Sequence, residues 1–125
     1  MNKEMLFKHI IRIAAEVCYV TEELIMGTNR SESVVIARSV VVFYCTATGM
    51  TVSDILSLID RKNSYFVNSI KARIERLWND CYSFHLWIKE AGERIAAVMQ
   101  ETGDDFDYMS HIRHLQKITN KAYYR

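Results

Sequence analysis

From Val67 to Val98 an apolar residue recurs in steps of three and four: Val67, Ile70, Ile74, Leu77, Cys81, Phe84, Ile88, Ala91, Ile95 and Val98. Side chains at that spacing share one face of an α-helix, whereas a strand, with its period of two, scatters them over both faces. The seam holds for about four heptads, with no proline and only Gly92 inside it. Trp78 and Trp87 widen it beyond a strict coiled-coil stripe. Two arrangements satisfy the pattern. Either one helix runs from about 64 to 101, or two helices meet near 79–83. The apolar face then packs on its own domain or pairs two copies of the chain.

The remainder of the chain agrees with an all-α fold. Proline is absent from the 125 residues and glycine occurs four times, while β-hairpins and phosphate-cradling loops depend on both. Leu6, Ile10, Ile13, Ala14 and Val17 set a first helix over 3–19. Thr21 caps a short second helix that Gly27 stops. A polar loop follows over 28–33. The valine-rich run 34–47 fits a strand or a buried helix by periodicity, and its length and polar flanks favour the helix. Thr51 and Asp54 form a capping pair for a helix over 51–59. After the seam come Asp104, Asp105 and Asp107 and a short helix over 110–123.

Charge is concentrated in one place. Net charge is +1, yet residues 61–78 hold Arg61, Lys62, Lys71, Arg73 and Arg76 against Glu75 alone. Two helices around a short turn, with cations starting at the second, is the layout of a helix-turn-helix, and a helix N-terminus favours a phosphate.

Here the sequence resembles a known family. Residues 30–77, and 10–30 more weakly, resemble the C-terminal DNA-binding domain of the bacterial chromosomal replication initiator DnaA, an all-helical domain related to the Trp-repressor fold. The family's Val-Val-x-Ala-Arg motif is matched by Val34, Val35, Ala37 and Arg38, and its Thr-Gly corner by Thr48 and Gly49. Its Ser-Leu-x-x-Ile helix is matched by Thr51, Val52 and Ile55. Its Arg-Asp-His-Thr-Thr-Val signature falls on Lys62, Asn63, Ser64, Tyr65, Phe66 and Val67, and its basic-Ile-x-x-Leu close on Arg73, Ile74 and Leu77.

The resemblance implies a non-enzymatic, double-stranded DNA-binding protein of replication initiation whose reader helix lies near 63–77. Lys62 would approach a guanine edge, and Asn63 would read a base or cap the helix. Ser64 and Tyr65 fall where the family contacts bases and methyl groups. Asn68 and Lys71 would reach phosphates. Arg61, which stands where the family has a glycine, adds charge at the turn by the local charge balance, and Arg30 would probe the minor groove from a basic loop. Arg38 would be a structural or phosphate contact. The implied organisation is a helix-turn-helix domain over 1–78, a helical extension over 79–102 that packs on the domain or on a partner, and a polar tail over 103–125. A homodimer through the 67–98 seam would present two readers to a symmetric site.

A rival reading keeps the fold as a helical protein-interaction module without DNA binding. Neither reading requires a cofactor. His111 and His114 have ligand-like spacing near the aspartates, but solvated polar residues account for them as well. Cys18, Cys45 and Cys81 are odd in number, lie in apolar surroundings and read as buried thiols of a reducing compartment, the cytoplasm. The longest uncharged apolar run, 39–50, is too short and too polar to span a bilayer.

Overall fold

The computed structural model describes residues 1–61 and 65–123, with the backbone alone for 120–123. The described residues form α1 (Lys3–Cys18), α2 (Glu22–Met26), α3 (Glu32–Ala47), α4 (Val52–Ile59), α5 (Tyr65–Asp80), α6 (Tyr82–Glu101) and α7 (Tyr108–Tyr123). None of these helices is long and apolar enough to cross a membrane.

Local chemistry sets most of the boundaries. Asn2 Oδ1 accepts the Met5 N–H at 2.8 Å to start α1, and Tyr19, left-handed at φ 58°, closes it. Thr21 Oγ1 accepts the Leu24 N–H at 3.1 Å and Gly27 ends α2. Thr51 and Asp54 cap α4 reciprocally, at 2.9 and 3.1 Å. These are the free N–H groups that any helix start must satisfy.

Helix α3 is the centre of the molecule. Val34, Ile36, Ala37, Val40, Val41, Val42, Tyr44 and Cys45 are all buried, beneath α1, α5 and α6. A helix enclosed on most sides reads as a near-continuous apolar run. That is why its valines imitate a strand.

The long seam resolves into two helices. Cys81 takes extended backbone, φ −124° and ψ 104°, and breaks the path between α5 and α6. The break leaves carbonyls at the end of α5 without helical partners. His85 answers one of them: its Nε2–H donates to the Trp78 carbonyl while its ring stacks 3.7 Å from the indole. Cys81 is half-buried, whereas Cys18 and Cys45 are buried as expected.

The seam packs inside the chain. Val67, Ile70, Ile74, Phe84, Ile88 and Ile95 are at most 6% exposed. Burying such a side chain contributes about 1.5–3 kcal/mol. Turning all six toward a second copy would therefore cost about as much as a domain's whole stability, roughly 5–15 kcal/mol. Those six side chains of the 67–98 seam are therefore committed to the chain's own core, while Leu77, Cys81 and Val98 remain half-buried.

Residues 103–125, expected as a polar tail, include α7, which packs on α5 and α6 and buries Ile112, Leu115 and Thr119. Close packing extends to Gly92, where a Cβ would lie 2.3 Å from Tyr44 Oη and 2.5 Å from Tyr108 Cδ2. Glycine is required there by space, since Tyr44 must reach in to donate to the Ile88 carbonyl.

Candidate functional site

Arg38 is the anchor from which the site is built. It lies on the central helix, 7% exposed, and a buried guanidinium needs acceptors for its N–H groups. It finds four. Nε donates to the Ile25 carbonyl at 2.8 Å, Nη2 to Leu24 at 2.9 Å and Gly27 at 2.8 Å, and Nη1 to Asn29. These oxygens belong to the C-terminal end of α2 and the loop after it, where helix carbonyls lack partners and the dipole is negative. Four of its five N–H groups are thus used inside the fold. These bonds give Arg38 the structural role that was one half of the expectation for it.

A second arginine converges on the same loop. Arg61, just after α4, donates through Nη2 to the Gly27 carbonyl and lies 5.1 Å from the centre of the Phe66 ring. Among the described residues, its Nε is buried without an acceptor. Asp60, left-handed at φ 61°, turns the chain out of α4 immediately before it. One carbonyl, Gly27, therefore receives guanidinium groups from α3 and from the α4–α5 turn.

Two further cations complete the cluster. Arg30 is exposed on the α2–α3 loop, next to Asn29. Arg73 follows Phe66 by seven residues and so sits two turns along the same flank of α5. Burial, followed by the positive charges of Arg61, Arg30 and Arg73, lowers the pKa of Arg38. The ion pairs among the described residues are Lys3–Asp54, Arg12–Glu16, Arg94–Glu16, Arg94–Glu90 and Arg113–Asp107. None includes Arg30, Arg61 or Arg73.

The other expected residues distribute as follows. Lys62, Asn63 and Ser64 lie outside the described residues. Tyr65 and Asn68 are exposed near the start of α5, with Tyr65 72% accessible. Lys71 is half-buried on the opposite flank from Arg73, about 160° around the helix. The fold therefore gathers Arg30 and Arg61 and leaves Lys71 apart. Arg73 joins the cluster without having been singled out. Its signal was the spacing from Phe66, which acquires meaning only once Arg61 lies over that ring.

No family model, curated protein or solved structure matches this chain.

Lys71 also borders a groove of about 380 Å³ between α3, α5 and α7. Phe43, Ala47, Ile74, Leu115 and Ile118 form its apolar walls, and Glu75, His111 and His114 are also among its lining residues. His111 packs 5.5 Å from Phe106, and Asp107 is taken up by Arg113 at 3.7 Å and by the Ser110 N–H. Among the described residues, no three His, Cys, Asp or Glu side chains are placed to hold a metal ion.

Proposed function

We propose that this protein binds double-stranded DNA without enzymatic activity, with α4, the turn after it and α5 serving as a helix-turn-helix and α5 as the reader. One observation carries the reading. Arginines from three separate places, the α2–α3 loop (Arg30), the α4–α5 turn (Arg61) and the flank of α5 (Arg73), place their charge on Arg38, and among the described residues no carboxylate is paired to them. Concentrating like charge in this way is unfavourable unless a polyanion meets it.

The orientation of α5 suits that partner. Tyr65, Asn68, Ala72 and Arg76 are exposed along its outer face, while Val67, Ile70, Ile74 and Trp78 hold the inner face in the core. A helix presented in this way can enter a major groove, where side chains near its N-terminus read base edges and flanking cations meet the backbone. The resemblance to the replication initiator's domain agrees with this assignment, and a role in replication initiation is part of the same proposal.

Fluorescence anisotropy with random-sequence duplex DNA tests it. Between about 50 and 200 mM salt the affinity should fall roughly a hundredfold, as expected for about four phosphates neutralised. An Arg30→Glu/Arg73→Glu double variant should not bind at either salt concentration. Absence of binding at low salt, or equal binding by the double variant, removes the DNA reading.

The groove between α3, α5 and α7 favours a second reading, a helical protein-interaction module, because its apolar walls surround an open space. Salt separates the two. Apolar docking tolerates salt, and phosphate binding does not.

A further inference from the structure

Gly27 and Arg30 lie in one loop, Arg61 in another segment more than thirty residues away, and Arg38 on the helix between them. The guanidinium groups of Arg38, from α3, and Arg61, from the turn, meet at the Gly27 carbonyl and so join the two segments. Without Arg38, the carbonyls of Leu24, Ile25, Gly27 and Asn29 would lose a shared donor. The loop's own chemistry is thin: Asn29 Oδ1 accepts from the Ser31 N–H at 2.9 Å and from its hydroxyl at 2.7 Å. Those bonds shape residues 29–31 locally and attach them to nothing else.

Resting on the DNA reading above, we propose that Arg38 and Arg61 form a lock that fixes the α2–α3 loop to the α4–α5 turn, so that Arg30 and α5 approach DNA as one rigid surface. Arg38 is then a positioning residue, and Arg30 the residue that touches the ligand. Among the described residues the buried Nε of Arg61 has no acceptor, which agrees with this role. An unpaired buried donor is costly to the fold, and a methionine there would keep the packing on Phe66 without it. Arg61 is thus placed for what it joins.

A lock makes a statement about coupling that separate contacts do not. If Arg30 and the node acted independently, their effects on affinity would multiply; if the node presents Arg30, removing it first leaves Arg30 little to contribute. The test is a double-mutant cycle on the full chain with random-sequence duplex DNA, crossing Arg30→Gln with Arg38→Lys and, separately, with Arg61→Met. The Arg61→Met variant retains the fold should the Arg38 variant lose it.

Losing a charged hydrogen bond costs roughly a factor of ten or more, so Arg30→Gln should weaken binding about tenfold in the natural background. In the Arg61→Met or Arg38→Lys background it should weaken binding less than about twofold. An undiminished effect of Arg30→Gln in both backgrounds overturns the lock. Backbone ¹⁵N relaxation across residues 28–31, measured without DNA, gives an independent answer. Order parameters near 0.85 in the natural chain should fall toward about 0.6 when the node is broken, and an equally rigid loop overturns the proposal. Should the natural chain not bind DNA at all, the DNA reading fails by itself and the relaxation data alone decide the lock.

Discussion

At the residue scale, burial assigns different chemistry to three identical side chains. Cys45 is enclosed in α3, and burial raises its thiol pKa to about 12. Burial, with the Glu90 charge as a smaller cause, raises Cys18 to about 12 as well. A thiolate is the reactive form, and an ordinary thiol forms it near 8.5. At about pH 8 a thiol reagent such as Ellman's should therefore modify only half-buried Cys81 in the folded chain, and all three thiols in urea. Cys81→Ser should abolish the native reaction. The linkage has a definite sign. Both folded-state pKa values lie above the unfolded value, so the neutral thiols stabilise the fold fully below about pH 8.5, and this contribution is lost as pH rises toward 12. Urea midpoints should fall over that alkaline range, less so in a Cys18→Ala/Cys45→Ala variant. Rapid labelling of two or three native thiols at pH 8 would contradict the packing around α3.

At the element scale, α7 and the seam make opposite demands on the molecule's surface and core. Leu115, 6% exposed, packs from α7 into the core. Leu115→Ala should cost about 2–5 kcal/mol in urea unfolding, as for other leucines cut back in a core. A solvated tail would give no change. Ile88, fully buried in α6, sits in the heptad seam, and Ile88→Lys should leave an unfolded chain. Sedimentation showing a folded monomer released from a dimer would instead place the seam between copies. What could be read beforehand follows the same division. The caps at Thr21 and Thr51 and the faces of α1, α4 and α5 depend on residues a few positions apart, so the sequence displays them directly. The break at Cys81 needs His85 to return to the Trp78 carbonyl. The docking of α7 depends on Ile112 and Leu115 meeting helices that precede them in the chain. The site divides likewise. Arg30 and Arg61 stand out in a polar loop and a basic turn, whereas the inward role of Arg38 is invisible until the Leu24–Asn29 carbonyls close around it.

At the scale of the whole molecule, a net charge of +1 gives no general attraction to a polyanion, so the proposed binding would have to come from where the cations are held. Arg61 and Arg73 lie along one flank of α5 and Lys71 along the other, with the exposed face of Tyr65, Asn68, Ala72 and Arg76 between them. A helix seated in a major groove has a phosphate strand on each side, so cations on both flanks would straddle the groove, whereas cations on one flank would meet a single strand. The arrangement predicts a separation of effects. Lys71→Gln should lower the slope of log affinity against log salt by about one and weaken all sequences alike, because a phosphate carries no base identity. Tyr65→Ala, on the outer face, should leave the slope unchanged and alter the ranking among duplex sequences selected from a random pool. If Lys71→Gln left the slope intact while Arg73→Gln lowered it, DNA would lie along the Arg30–Arg61–Arg73 side only. The helix would then be laid against the duplex instead of inserted into it, and Lys71 would belong with the groove beside α7.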